Sequence, residues 1–124
     1  MKYEELYDEF KKLFPEYADY FKAKEEETGA EVEIGMHVVF GMVVCPFIIK
    51  MAEEAPKNAQ MAFDFVEQML TSENSKISNV AEVTVLEDLM TEDNGGFRKL
   101  GRYLGEESLK SVRHLSQFFD IQMK

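Results

Sequence analysis

The stretch MHVVFGMVVCPFII, residues 36–49, decides the fold because it contains no formally charged side chain when His37 is neutral. The segments on both sides of it carry charged residues on one helical face and apolar residues on the other. An amphipathic helix needs an apolar partner for its stripe. We therefore predict that residues 36–49 are buried at the centre of the protein and that the flanking helices pack around them.

The secondary structure of this stretch follows from its length and context. Fourteen residues fall short of the roughly 20 that a bilayer core requires, so we expect no membrane span. Its valines and isoleucines also suit a strand, and a run that is apolar on all sides fits a buried helix and a buried strand alike. Because it runs without a turn signal into the helix-forming residues 50–55, we predict a helix, kinked near Pro46. The alternative is a short β-hairpin within residues 30–45.

Apolar residues recur at helical spacing in six further segments, separated by turn or cap residues. These segments are residues 3–14, 16–28, 56–70, 75–91, 97–104 and 106–122. The sequence thus predicts an all-α fold, an irregular array of six to seven helices around a buried central helix. The pairs 56–91 and 97–122 indicate helical hairpins, so a HEAT-like hairpin is expected in the C-terminal half. Without a linker, residues 1–124 form one predicted domain.

Composition and charge predict the cellular compartment of the protein and the class of its partners. The single cysteine excludes an internal disulfide framework, and the acidic opening lacks the pattern of a signal peptide, so we expect a cytoplasmic protein. The net charge is −10, and residues 1–94 hold 21 acidic against 8 basic side chains. Such a body repels phosphate backbones, so we expect no nucleic-acid partner and no membrane partner. Its charge suits a solvated surface or a basic protein partner.

The sequence contains no pattern of residues that is typical of a catalytic or metal site. His37 and Cys45 lie eight residues apart in the apolar stretch, and His114 is far along the chain. Cys45 lies between Val44 and Pro46, where burial would keep the thiol protonated and inert. Phosphate-binding loops, nucleophile elbows and EF-hand loops are absent from the sequence. We therefore predict no catalytic residue, no metal and no cofactor.

Two fragments, His37-Val38-Val39-Phe40-Gly41 and Leu104-Gly105-Glu106-Glu107-Ser108-Leu109, carry a family resemblance. Together with the hairpin of residues 63–89, they resemble a group of small, acidic, uncharacterised bacterial helical proteins. Some members of that group are similar to immunity proteins, which neutralise a cognate toxin. The resemblance implies a helical fold and an interaction role. It carries over no functional residue, because the group has no catalytic motif.

Three hypotheses for function remain after these considerations. The first is a non-catalytic protein-binding module, with an immunity-type inhibitor of a basic partner protein as its specific form. Its acidic surface would speed the encounter with a positive partner. The predicted binding residues are acidic and lie together on one predicted hairpin and the loop after it. They are Glu82, Glu87, Asp88, Glu92 and Asp93.

The other two hypotheses belong to different classes. A self-associating scaffold protein, such as a homodimer, would cover surplus aromatic surface with a second copy, and Tyr17, Tyr20 and Phe118 are candidates for that surface. An enzyme would need a site assembled from residues distant in sequence, which a linear pattern does not reveal. A pocket around His37 or His114 with a shifted carboxylate would favour the enzyme.

Overall fold

The computed structural model describes residues 1–92 and 99–118, and these residues form six helices and no strand. The helices are α1 (Leu6–Lys12), α2 (Ala18–Thr28), α3 (Met36–Glu54), α4 (Pro56–Leu70), α5 (residues 75–92) and α6 (Glu106–Phe118). Short 3-10 turns at Tyr3–Glu5 and Pro15–Tyr17 lead into α1 and α2. The predicted all-α fold is confirmed.

Local sequence signals explain several of the helix ends. Pro15 and Pro56 each occupy a first helical turn, where the missing N–H costs no intrahelical hydrogen bond. Gly29 ends α2 with a φ of 73°, a left-handed conformation that glycine adopts without strain, and its N–H donates to the Glu25 carbonyl. The Asn74 side chain caps α5 by accepting a 3.0 Å hydrogen bond from the Lys76 N–H.

The central helix α3 runs through 19 residues, five more than the apolar stretch itself. The β-hairpin alternative for residues 30–45 is wrong, because the N–H groups of Ile34 and Gly35 close a turn on the Glu31 carbonyl and helix follows from Met36. Residues Phe40–Val44 are π-helical and immediately precede the segment that contains Pro46. The wider turn lies where a proline ring would press on the carbonyl four residues earlier, so the helix continues through Pro46.

By length and composition α3 is apolar enough to cross a membrane, with a mean hydropathy of 1.6 over its best window. Half of that window is buried inside the protein, where α3 packs against α4, α2 and α5. Core helices of soluble proteins have the same character, so the structure is compatible with a soluble protein.

An aromatic cluster joins the first four helices. The Phe10 ring lies between 5.4 and 6.3 Å, centroid to centroid, from five other phenylalanine rings, in mostly edge-to-face geometry. These rings belong to Phe14, Phe21, Phe40, Phe47 and Phe65. Tyr17 and Tyr20, which the sequence offered as exposed surface, are half-buried, and their rings contact Phe47 in edge-to-face and tilted geometry, respectively. The side chain of Phe118 lies outside the described part of the chain.

The second half of the chain contains one of the two predicted hairpins. Helices α4 and α5 pair across the turn of residues 71–74, as expected. The predicted helix of residues 97–104 is wrong over its described part, where only the 3-10 turn Gly101–Tyr103 forms. Helix α6 then packs across α4 and α5. Helices α3 and α5 lie side by side.

Candidate functional site

Helices α3 and α5 run parallel and meet along a line of contacts, called the seam below, which extends from His37 and Thr84 to Cys45 and Val85. The His37 imidazole on α3 hydrogen-bonds the Thr84 hydroxyl on α5, and eight residues further along α3 the Cys45 thiol lies 3.9 Å from the Val85 carbonyl oxygen. Between them the α3 backbone at Gly41 lies close to two α5 side chains, since an added Cβ would lie 3.2 Å from an Asp88 carboxylate oxygen and 3.4 Å from the Thr84 methyl carbon. The absence of a side chain at Gly41 therefore leaves room for Asp88 and Thr84.

Both helices are π-helical where they meet. The π-helical segment Phe40–Val44 of α3 packs against the π-helical segment Val80–Leu86 of α5. Single π-helical turns inside α-helices occur frequently at functional sites, because they rotate the following side chains relative to a regular helix. Here they precede Cys45 on one helix and Asp88 on the other.

Beyond the seam the two helices separate into a half-open groove of about 480 Å³. Its α3 side is lined by residues without charge, Gly41, Cys45, Pro46 and Ile49. Its α5 side is lined by Asp88, Thr91 and Glu92. The groove thus combines an apolar floor with one acidic wall.

The two carboxylates of this wall raise each other's electrostatic energy. Asp88 and Glu92 are one helical turn apart, at a spacing where like charges repel. Partial burial, and secondly the charge of Glu92, raise the pKa of the Asp88 carboxyl above its ordinary value. Within residues 1–92 and 99–118, neither carboxylate forms an ion pair with a lysine or arginine. Among the described residues, the negative charge of the groove is therefore uncompensated.

Cys45 forms the base of the groove but is unsuited to nucleophilic chemistry. Its side chain is 3% exposed, and burial followed by the charges of Asp88 and Glu92 raises the pKa of the thiol. A reactive cysteine needs the opposite environment, one that stabilises the thiolate. The predicted burial of Cys45 is confirmed. His37 is half-buried against Thr84, and His114 is exposed on α6.

Apolar side chains continue from the groove onto the outer side of the seam. Met42 and Val83 are each 45% exposed, next to the facing residues Gly41 and Thr84. Each residue advances a helix by roughly a quarter of a turn. When two parallel helices lie side by side, the residue after the facing position on one helix and the residue before it on the other therefore point to the same side. Phe40, on the opposite side, is fully buried. Met42 and Val83 therefore flank the seam on its solvent side.

The structure brings some of the five predicted binding residues together and separates others. Asp88 and Glu92 share the groove, and the half-buried Glu87 lies beside them on α5. Glu82 lies near α6, where its carboxylate accepts a 3.4 Å hydrogen bond from the Ser111 hydroxyl. Asp93 lies outside the described residues. Two of the five residues thus line the groove and Glu82 does not, and their role in binding stays a prediction.

Sequence reasoning missed the α3 side of the site. Pro46 and Ile49 were assigned to the buried helix, yet both are partly accessible and line the groove. The available signal was Gly41, a residue without a side chain in the middle of a β-branched run, which indicates a close approach by another element. Across the described ranges, no three His, Cys, Asp or Glu side chains come together as metal ligands.

Comparison with family models gives one match, a domain of unknown function (DUF7674), over residues 7–120. The chain belongs to this family. The DUF7674 match takes in the central helix and both walls of the groove. Membership agrees with the resemblance to an uncharacterised helical group, and it supplies no link to toxin immunity. Neither the curated proteins nor the solved structures contain a match to this DUF7674 chain.

Proposed function

We propose that this protein is a non-catalytic binding module that receives a basic partner protein on the α3–α5 groove and its outer side. The observation that carries the proposal is the pair of carboxylates, Asp88 and Glu92, which form no ion pair with a described lysine or arginine and lie beside an apolar floor. Repulsion between two partly buried carboxylates costs free energy in the unbound protein, and a cation that neutralises them removes this cost. A lysine or arginine of a partner supplies that cation.

Binding accounts for this groove better than catalysis does. Acid–base chemistry needs a group whose pKa lies near the working pH and a reactive partner within hydrogen-bond reach. The thiol next to Asp88 and Glu92 is held protonated by its surroundings, and the His37 imidazole is engaged with Thr84. Paired acidic and apolar surface, in contrast, is what a protein interface with a basic partner uses.

The specific form of the proposal is an immunity-type inhibitor, in which the basic partner is a toxin whose activity is blocked by the bound module. The family resemblance carried by residues 37–41 and 104–109, together with the acidic groove, supports this specific form. Co-expression tests it: the protein would restore growth to cells that produce the toxin encoded next to it. Failure of a folded, stably produced protein to protect would remove the inhibitor and leave the binding module.

Affinity capture from the native organism tests the binding module. Wild-type protein is compared with the double variant Asp88→Asn, Glu92→Gln at low and at high salt. We expect a basic protein that the wild type retains at low salt, releases at high salt, and that the double variant retains poorly, because screening and neutralisation both remove the attraction.

A matched control separates this groove from the overall charge. The variant Glu26→Gln, Glu73→Gln removes the same two charges from exposed positions on α2 and in the loop before α5. It is expected to retain the partner as the wild type does. Equal loss in both double variants, or a partner that is insensitive to salt, would contradict the proposal.

A second candidate function, self-association, is favoured by exposed apolar side chains. Ile34 is 61% exposed, and Met42 and Val83 lie together on the outer side of the seam. Sedimentation velocity tests this at several protein concentrations. A dimer that dissociates in the variant Met42→Gln, Val83→Thr would support self-association, and a wild-type monomer at every concentration would remove it.

A further inference from the structure

We infer that the α3–α5 groove receives a basic amphipathic helix, whose apolar face lies on Met42, Pro46 and Ile49 and whose lysine or arginine side chain reaches Asp88 and Glu92. This inference rests on the proposed function and specifies the segment of the partner that binds. Three features of the described residues carry it: the length of the apolar stripe, the absence of a strand edge, and the placement of charge.

The apolar stripe has the dimensions of a helix-binding groove. Val38, Met42, Pro46 and Ile49 follow each other at intervals of three or four residues, so they lie on one side of α3. From Val38 to Ile49 the rise is roughly 16 Å at about 1.5 Å per residue. That length accommodates about three turns of a bound helix, the span over which anchors at i, i+3 or i+4 and i+7 are recognised.

The shape of the surface favours a helix over an extended segment. An extended peptide binds most firmly by adding a strand to a sheet edge, and the described part of this chain contains no strand. Two neighbouring parallel helices, in contrast, form a furrow into which the side-chain ridges of a third helix fit. At Gly41 the side chains of Thr84 and Asp88 lie close to the α3 backbone, and the neighbouring Met42 and Val83 remain exposed for contact with such a helix.

The charges determine which helix fits. Asp88 and Glu92 lie at the end of the furrow, beside Pro46 and Ile49. A lysine or arginine can lay its aliphatic stem on this apolar floor and place its charged end between the carboxylates. An acidic or uncharged helix would bury the two carboxylates without a counter-charge, which is costly. A basic amphipathic helix is therefore selected by the same residues that accept its apolar face.

The same charges argue against a second copy as occupant. In a two-fold dimer each surface meets itself or a patch of equal composition related by symmetry. Two such faces would bring the Asp88 and Glu92 carboxylates of both copies into one interface, within a chain of net charge −10. A second copy would increase the repulsion that a basic helix removes.

Peptide binding tests the inference directly with the full-length protein. The probe is a fluorescein-labelled helical peptide of about four turns, with leucines on one face and lysines on the other. Two control peptides are used: a scrambled sequence of identical composition, and the amphipathic sequence with glutamate in place of lysine. Fluorescence anisotropy gives each Kd.

We expect the basic amphipathic peptide to bind at least about tenfold more tightly than the scrambled peptide, and the acidic peptide not to bind. Asp88→Asn, Glu92→Gln weakens binding of the basic peptide and flattens its salt dependence. Met42→Gln, at a position exposed enough to tolerate the change, weakens binding and leaves the salt dependence intact. The control Glu26→Gln, Glu73→Gln binds as the wild type does. Circular dichroism verifies that each variant is folded.

The outcomes separate this inference from the proposed function. Equal affinity for the amphipathic and scrambled peptides would overturn the helix-binding groove. So would an NMR titration in which the basic peptide changes the chemical shifts of α1 and α2 alone. If the native partner is still captured in a way that depends on Asp88 and Glu92, the proposed function stands and the bound segment is of another kind. If capture and peptide binding both ignore these carboxylates, both proposals fail. A concentration-dependent dimer lost in Met42→Gln would assign the groove to a second copy.

Discussion

The start of α6 depends on a carboxylate from another helix, and this contact makes a quantitative prediction. Glu67 on α4 accepts hydrogen bonds from the Glu107 N–H at 2.7 Å, the Ser108 N–H at 3.0 Å and the Ser108 hydroxyl at 2.7 Å. The residue before α6 is Gly105, which has no side chain to cap the helix itself. Glu67 therefore serves as the N-terminal cap of α6 and joins it to α4.

We predict that Glu67→Ala lowers the free energy of unfolding by about 2–4 kcal/mol. Loss of a helix cap costs about 0.5–2 kcal/mol. The Ser108 side chain is fully buried, and leaving its hydroxyl without a partner costs a further 1–3 kcal/mol or so. For a chain of 124 residues, a loss in the middle of this range corresponds to a fall in Tm of roughly 10 °C. Urea denaturation followed by circular dichroism measures the free energy.

The pH dependence gives an independent test of the same contact. Burial acts to raise the pKa of Glu67, but hydrogen bonds from Glu107 and Ser108 and the charge of Lys110 outweigh it and lower the pKa below its ordinary value of 4.5. A carboxyl with a lowered pKa stabilises the fold fully above that ordinary value, and the stabilisation is lost as the pH falls through the lowered value. The gap between wild type and Glu67→Ala should therefore narrow in acid.

Asp64→Ala is the matched control for this prediction. Asp64 is an exposed residue one turn earlier on α4, and its carboxylate accepts a hydrogen bond from Gln60 on the same helix. We expect its effect to be within about 0.5 kcal/mol of zero. The reasoning is refuted if Glu67→Ala unfolds at the same urea concentration as Asp64→Ala. A gap that stays constant from neutral to acidic pH would also refute it.

Three further substitutions test other contacts. Gly105→Ala should destabilise the protein by about 1–3 kcal/mol in urea denaturation, because the new Cβ would lie 2.6 Å from the Glu67 carboxyl carbon and displace the cap. Phe10→Ala should cost about 3–5 kcal/mol in the same assay, since it empties the centre of the aromatic cluster. Asp88→Asn should stabilise the protein at neutral pH by about 0.2–0.5 kcal/mol, by relieving repulsion from Glu92. That advantage should vanish below the ordinary pKa of Asp88, where the wild-type carboxyl is protonated in both the folded and unfolded states.

Each of these substitutions has a control of the same kind. Gly35→Ala adds a Cβ whose nearest neighbour is at an ordinary 3.6 Å, so it should be tolerated. Leu13→Ala removes a side chain that is 36% exposed and should cost far less than the change at Phe10. Glu26→Gln removes one exposed charge and should leave stability unchanged. Controls with effects as large as those of their partners would contradict the contacts proposed here.

Hydrophobic patterning was sufficient to predict the main features of the fold. An uncharged run of 14 residues between amphipathic segments leaves few arrangements other than a central helix covered by the rest. Turn and cap residues between the segments predicted helix ends because their backbone preferences act locally, as Gly29 does at the end of α2 and Pro56 at the start of α4. The helix predicted for residues 97–104 was wrong over its described part, because apolar residues at helical spacing can also anchor a loop. Leu100 and Tyr103 are buried around a 3-10 turn.

The groove could be predicted only on its acidic side. Negative charge along α5 is visible in the sequence, but the accessibility of Pro46 and Ile49 depends on how closely α3 and α5 approach at Gly41. Both helices are π-helical where they meet, and the hydrophobic pattern gave no sign of these wider turns. The cap from Glu67 to α6 was missed for a similar reason, since its two ends are 40 residues apart.

The proposed binding site and an ordinary solvated surface predict different behaviour for Asp88. Burial and the charge of Glu92 raise the pKa of the Asp88 carboxyl, so Asn at the same position relieves an unfavourable interaction in the free protein. A binding site accepts that loss, since the partner's cation recovers it in the complex. Asp88→Asn should therefore raise the free energy of unfolding and weaken partner binding together. A variant that gains stability and binds unchanged would show that this carboxylate belongs to the solvated surface and has no part in recognition.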